Sequence, residues 1–339
     1  ERLLALGGDF GSSRATFVDV AGVAAGPSGE VYVLDAGDKT VKVYSEAGRF
    51  IRRFGRQGGG PGEFQLPVSM VVDSVVRVSD LALQRMTYFT LDGRHLRTSG
   101  TTAPSDLVLL RVLPLRHAHL VGVTPTSVGV NTHGRTGSPY AAVVFAGASG
   151  AVDTVLRPHS GVAIYHPRNA QVPLGLLQTH AGRGGAHAVL GDSIVATADG
   201  YTGEVRWYRV DRQELTLFRT RQLQSRSRPV TPDDIRRMER DVYAKSPDFP
   251  RRLVIEPPPR ISIATEALFA PDGSLWIRNT GGSGDAHVWT VFNPAGEVSI
   301  RLSLPRGFDL YHVRGDRLYG VARTENDAPV VQVYRLVRG

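Results

Sequence analysis

The sequence predicts an all-β chain closed into a ring of six four-stranded sheets, a six-bladed β-propeller, and three observations carry that expectation. The first is an internal repeat. "GEVYVLDAGDKTVKVYSEAGRFIRRFG" (29–55) aligns without a gap with "SVVRVSDLALQRMTYFTLDGRHLRTSG" (74–100). Val31 meets Val76, Asp35 meets Asp80, Tyr44 meets Phe89, and Gly48 meets Gly93. The second is the period inside each unit. Apolar and polar residues alternate, as strands require, and "EAGR" and "LDGR" place glycine where a hairpin turn needs positive φ. The third is a mismatch at the two ends. The last unit, "GDRLYGVA" with "VVQVYRL" (315–336), stops after three strands, while the chain opens on an orphan strand, "ERLLALG" (1–7). That strand is expected to complete the sixth blade, which closes the ring and removes its open sheet edges.

The intermediate copies are weaker but in register. "APDGSLWIRN" (270–279) matches "GPSGEVYVLD" (26–35), and "GDSIVATAD" with "VRWYRVD" (191–211) supplies another unit. The expected blades are 17–54, 66–99, 107–157, 186–223, 262–304, and 308–336 with its borrowed strand, forming one domain over residues 1–339. The Gly-rich "RQGGGPGEF" (56–64) then reads as a connector between blades. A phosphate-binding loop would carry a Gly-Lys-Ser/Thr ending or open a helix, and this stretch does neither. Asp35 and Asp80, closing equivalent strands, are expected to bond turn amides. Trp207, Trp276 and Trp289 are expected to pack between blades.

"GRQGGGPGEFQLPVSMVVD" followed by "VRVSD" resembles the NHL-type propeller repeat. The whole chain resembles bacterial six-bladed propeller proteins in which a short "PVT-x-x-D" helix precedes a blade reading "D-G-x-L-W-[IV]-R". Here these are "PVTPDDI" (229–235) and "DGSLWIR" (272–278). The resemblance implies the fold and no single chemistry. One departure, "DAGDKTVK" (35–42) without the usual turn asparagine, concerns a structural turn.

Composition narrows the function classes. The 339 residues contain no cysteine, which removes disulfides, thiolate metal sites and a cysteine nucleophile. No apolar run is long enough to span a bilayer as a helix. The chain opens on Glu1 rather than Met, so a leader or anchor is expected to be missing from this sequence. The expected location is exported, periplasmic or membrane-peripheral. The net charge is +8, and every cation except Lys39, Lys42 and Lys245 is arginine. Residues 206–260 carry 13 Arg and 1 Lys against 8 acids, which is most of that charge.

Propeller connectivity then locates function. In each blade the links from outermost to innermost strand share a face with the second-to-third strand loops. The remaining turns, "GPSG", "EAG", "LDG", "PDG" and "PAG", are uniformly short. Every long segment falls in the first set: 124–139, 158–185, 224–261 and 279–287. Function concentrates on loops held by a rigid scaffold. Within 224–261, Thr231, Pro232 and Asp234 announce a helix start. Arg236, Arg237 and Arg240 on that helix, with Arg226, Arg228, Arg251 and Arg252 beside it, make a candidate surface for an acidic protein partner. Tyr243 is the one aromatic in the helix, which argues against specific nucleic-acid binding.

Two functions follow. The leading one is a non-catalytic binding propeller, an accessory subunit of an envelope or membrane-associated assembly that needs no cofactor. The alternative is a lactonase-like hydrolase or lyase with Ca²⁺ in the central channel, held by Asp19, Glu266 and Asp309. These acids fall on the predicted innermost strands of blades 1, 5 and 6. Their other expected role is solvation or pairing with Arg111. "HAH" at 117–119 lacks the further ligands that zinc would need. No nucleophile elbow or metalloprotease motif occurs.

Overall fold

The computed structural model describes residues 1–8, 16–100, 107–114, 118–125, 142–147, 152–156, 163–167, 176–177, 185–191, 193–211, 214–245, 253–256, 260–279, 287–305 and 307–337. The chain begins with β1 (Arg2–Leu6). Blade 1 is β2 (Val20–Ala25), β3 (Val31–Asp35), β4 (Thr40–Tyr44) and β5 (Phe50–Phe54). Blade 2 is β6 (Pro67–Val72), β7 (Val76–Asp80), β8 (Arg85–Phe89) and β9 (His95–Gly100). Blade 3 is β10 (Leu107–Pro114), β11 (Ala118–Pro125), β12 (Ala142–Gly147) and β13 (Val152–Leu156). Two strands, β14 (Ala163–Pro167) and β15 (Leu176–Leu177), precede blade 4. That blade is β16 (Gly185–Leu190), β17 (Ile194–Asp199), β18 (Glu204–Asp211) and β19 (Glu214–Gln222). Helix α1 (Pro232–Lys245) and β20 (Leu253–Glu256) lead to blade 5, which is β21 (Glu266–Phe269), β22 (Leu275–Asn279), β23 (His287–Phe292) and β24 (Val298–Leu304). The chain ends with β25 (Asp309–Arg314), β26 (Arg317–Arg323) and β27 (Pro329–Arg335).

Each blade is an antiparallel meander in sequence order. Innermost strands touch in succession: β2 with β6, β6 with β10, β10 with β16, β16 with β21, β21 with β25, and β25 back with β2. The fold is a six-bladed β-propeller.

Its closure is the predicted one. β1 pairs antiparallel with β27, Leu4 opposite Val333 and Leu6 opposite Val331, and so supplies blade 6 with its fourth strand. The Glu1 amine donates to Arg335 O at 3.1 Å, and Arg335 N donates back to Glu1 O at 2.7 Å. Leu6 joins Val20, Val23, Val33, Tyr319 and Val331 in the cluster that seals blade 6 to blade 1.

The repeat offset survives as strand geometry: β3 and β7, then β4 and β8, start 45 residues apart. Gly48 and Gly93 take φ of 80° and 93° at the equivalent hairpins, as their turns required. Large side chains fill the seams between blades. Trp207 meets Phe292 edge-on at 5.5 Å between blades 4 and 5, and Trp276 and Trp289 lie in the cluster between blades 5 and 6.

The buried aspartates bond turn amides. Asp80 accepts from the amides of Gln65, Leu66 and Leu83 at 2.7–3.1 Å, and Asp35 from those of Val18, Asp19 and Asp38 at 3.1–3.3 Å. Each therefore ties the turn after its strand to the connector arriving from the previous blade. The Gly-rich stretch is closed on itself. Gly58 N donates to Phe64 O, Gly60 N donates to Glu63, and Arg85 donates to the carbonyls of Gly59, Gly60 and Glu63. The amides of Gly58, Gly60, Glu63 and Phe64 are thus spent within the connector.

One element had no sequence signal. β14, β15 and β20 form a separate three-stranded sheet, with Tyr165 opposite Ile255 and His166 opposite Val254. β14 and β15 belong to the link entering blade 4, and β20 to the link leaving it. The two long connectors thus meet on one face of the ring. By strand order, the β11–β12 and β22–β23 links open towards that same face. Residues 126–141 and 280–286 within them lie outside the described residues.

Candidate functional site

The 224–261 excursion is pinched at its neck. Ser227 Oγ donates to Ile261 O at 2.7 Å, Ile261 N donates to Arg228 O at 2.8 Å, and Arg260 donates to Ser227. Ile263 N then donates to Gly200 O at 2.7 Å, which fastens the neck to a turn of blade 4. The excursion leaves and returns at one point, so α1 is carried on a fixed base.

The start of α1 is the predicted capping box with an added clamp. The amide and hydroxyl of Thr231 donate to Asp234 Oδ2 at 2.8 and 2.7 Å, and Asp234 N returns a bond to Thr231 Oγ1 at 3.4 Å. Arg228 grips the same carboxylate with two nitrogens, at 2.6 and 2.8 Å. The Arg228 guanidinium, with help from Thr231, holds the Asp234 carboxyl well below the usual carboxylate range. Because that pKa is depressed on folding, the stabilisation is complete above about pH 4 and fades as the pH falls further. Asp234→Ala is expected to cost about 1–2 kcal/mol, read as a lowered denaturation midpoint, with the difference from the parent shrinking below pH 4.

This geometry revises the seven-arginine patch. Arg228 is committed to Asp234, and Arg236 pairs with Asp233 one turn back. Arg226, Arg237 and Arg240 are exposed, and among the described residues no ion pair engages them. Arg251 and Arg252 lie outside the described residues. Among the described residues of the patch, the exposed cations without an ion pair are therefore three, standing on or beside α1, while Arg228 and Arg236 are exposed but paired.

The channel mouth holds the second candidate set. Glu266 and Asp309 are the first residues of β21 and β25, and Asp19 immediately precedes β2. All three act on one phenol. Tyr311 keeps 37% of its surface exposed, yet its phenol is pushed up to about 12, first by desolvation among the surrounding atoms and then by Asp309, Glu266 and Asp19. Its position comes from a register shift between Leu310 and His312, a β-bulge of the kind that re-aims a side chain. Tyr311 Oη donates to Val20 O at 3.1 Å across the blade 6–1 seam.

The cation beside these acids is a guanidinium. Arg278, 4% exposed, reaches Glu266 at 2.9 Å and Asp309 at 3.7 Å. The side chain of Arg111, the expected partner, lies outside what is described. Arg278 could have been found by counting register, since the turn at 270–274 sets Glu266 opposite Arg278. Tyr311 had no such signal, because a bulge is not written in the alternation. The oxygen donors suit Ca²⁺ in kind, but the guanidinium among them does not. Among the described residues no group of three or more His, Asp or Glu stands close enough to hold a metal ion.

Comparison with known proteins agrees on the architecture. A family model described as "6-bladed beta-propeller" matches residues 24–109, which span blades 1 and 2 and enter blade 3. No curated protein matches the chain. Among solved structures, a candidate exported protein of Bacteroides fragilis is similar at 11% identity and a TM-score of 0.50, covering 99% of this chain and 95% of its own. A DUF4221-family member from Bacteroides vulgatus is similar at 8% identity and a TM-score of 0.51, covering 99% and 98%. Regucalcin of Agrobacterium tumefaciens, a calcium-binding protein, stands at 10% identity and 0.45, covering 96% and 94%. At these identities the likeness is one of fold. No helix among the described residues is long and apolar enough to cross a membrane.

Proposed function

We propose that the protein is a non-catalytic, NHL-type binding propeller. It takes another protein on its connector-bearing face, as an accessory subunit of an exported envelope or membrane-associated assembly. The observation that carries this reading is the joining of the two long connectors through β14 and β20, with α1 on its pinched base between them in the chain. Building a second sheet on one face costs ordering entropy that the ring does not need for closure. Arg226, Arg237 and Arg240 favour a partner with an acidic surface.

The test is site-specific photo-crosslinking in native membranes. A crosslinker at Arg237 is expected to give one dominant adduct, and one at Asp92, on the opposite short-turn face, none. Arg226→Glu with Arg237→Glu and Arg240→Glu should weaken capture of that adduct's partner at least about tenfold, the factor for 1.4 kcal/mol. Equal adducts from both faces, or unchanged capture by the triple variant, would remove the proposal.

The alternative, a hydrolase or lyase using Ca²⁺ at Asp19, Glu266 and Asp309, has in its favour that all three acids raise the pKa of Tyr311. The Arg278 guanidinium weighs against it. Stoichiometric Ca²⁺ uptake that Asp19→Asn abolishes would reinstate it.

A further inference from the structure

The seam between blades 6 and 1 is where the ring closes, and its polar fastenings are few and identifiable. Tyr311 Oη donates to Val20 O, Arg314 donates to the carbonyls of Gly26 and Pro27, and Arg317 pairs with Glu46. His312 stands between two of these on β25. It lies opposite Tyr319, whose ring is 5.7 Å away and belongs to the apolar cluster of this seam. Its Nε2 is sealed from solvent and, among the described residues, has no hydrogen-bond partner.

A neutral imidazole tolerates that setting with one nitrogen idle. An imidazolium does not, because both its nitrogens are donors and its charge needs an acceptor. The charged group acting on the ring is Arg314, two residues along the same strand. On the packed elements, β26 contributes Tyr319, Arg317 and Arg323, β21 contributes Glu266, the turns of blade 1 contribute Glu30 and Glu46, and β2 has no titratable side chain. Glu266 is held by Arg278. Glu46 is held by Arg317, and Glu30 by the amide of Ser28. A proton on His312 would therefore meet repulsion from Arg314, the residue that fastens this seam to blade 1.

We propose that the blade 6–1 seam is an acid-sensitive closure, with His312 as the group whose protonation loosens it. The sign follows from burial, which lowers His312 from 6.5 to about 4, with Arg314 adding to the effect. Seam stability is then complete above about pH 6.5 and is lost progressively as the pH falls towards 4. Linkage over that window makes opening about thirtyfold more frequent at pH 5 than at pH 8.

The absence of cysteine makes the test clean. Val331→Cys places a single thiol in this seam, and Leu34→Cys places one in the blade 1–2 seam, where β2, β3, β6 and β7 carry no histidine. The ratio of their labelling rates cancels the pH dependence of thiol reactivity and any global unfolding. That ratio is expected to rise about thirtyfold between pH 8 and pH 5, and to stay flat when His312→Gln is added. Hydrogen exchange at the β2 amides of the unsubstituted chain and of His312→Gln reads the same opening without a thiol. A flat ratio in the parent, or a rise that persists in His312→Gln, overturns the proposal.

Discussion

Replacing Asp35 by alanine is expected to destabilise the protein by about 4 kcal/mol, the cost typical of breaking a buried ion pair from one side. Asp35 is fully buried. Its carboxylate accepts from three backbone amides and from Lys42 Nζ at 2.8 Å. Lys42 is itself buried, with Thr16 O at 3.0 Å and the half-exposed Asp38 at 3.0 Å as its other partners. Alanine would leave the buried lysine with only Thr16 O and the half-exposed Asp38, and the amides of Val18, Asp19 and Asp38 without this acceptor. Each buried group left unsatisfied costs about 1–3 kcal/mol. Asp80 makes the same amide bonds with no lysine, so Asp80→Ala should cost less, about 2–3 kcal/mol. Denaturant unfolding of both variants checks the size and the order. A loss under about 1.5 kcal/mol for Asp35→Ala, or the reverse order, would show that these aspartates do not hold connector to blade.

Removing residues 1–6 should have the other large effect. Leu6 is buried in the closing seam and Leu4 packs against it. Losing a fully buried leucine forfeits about 1.5–3 kcal/mol, before the β1–β27 hydrogen bonds are counted. Deletion also turns β27 into an unpaired edge beside an opened apolar seam, a template for association. The truncated chain is expected to elute as oligomers or aggregate in size-exclusion chromatography, with a lowered unfolding midpoint. A monomer of unchanged stability would mean that β1 decorates the ring without closing it.

The architecture was legible because its signals are short-range. Alternation, hairpin glycines and the offset between Val31 and Val76 each depend on a few neighbouring residues, and β3 and β7 reproduce them. The borrowed strand was legible by subtraction, since three strands at one end and an orphan at the other leave one arrangement. The role of Asp35 and Asp80 was legible because both close a strand immediately before a turn. The β14–β20 sheet was not, because Tyr165 and Ile255 meet across an entire blade and neither segment carries the repeat.

The candidate sites divide the same way. Charge counting found the basic excursion, and spacing found the Thr231–Asp234 cap. Counting could not show that Arg228 and Arg236 are already paired with Asp234 and Asp233. It placed Glu266 and Asp309 on the right strands and Asp19 one residue ahead of its own, but it showed neither Arg278 beside Glu266 and Asp309 nor the effect of all three acids on Tyr311.

The sequence by itself determined that this chain is a closed ring of β-meanders with its long connectors on one face. Local periodicity and turn chemistry specify those features, and they act over a few residues. Only the tertiary structure decided which arginines are left without an ion pair, which acids share a cation, and which histidine has a ring nitrogen sealed in the closing seam. Compensation of charge and loss of water depend on which side chains meet across a seam. Those partners stand far apart in the chain, and only the folded ring brings them together.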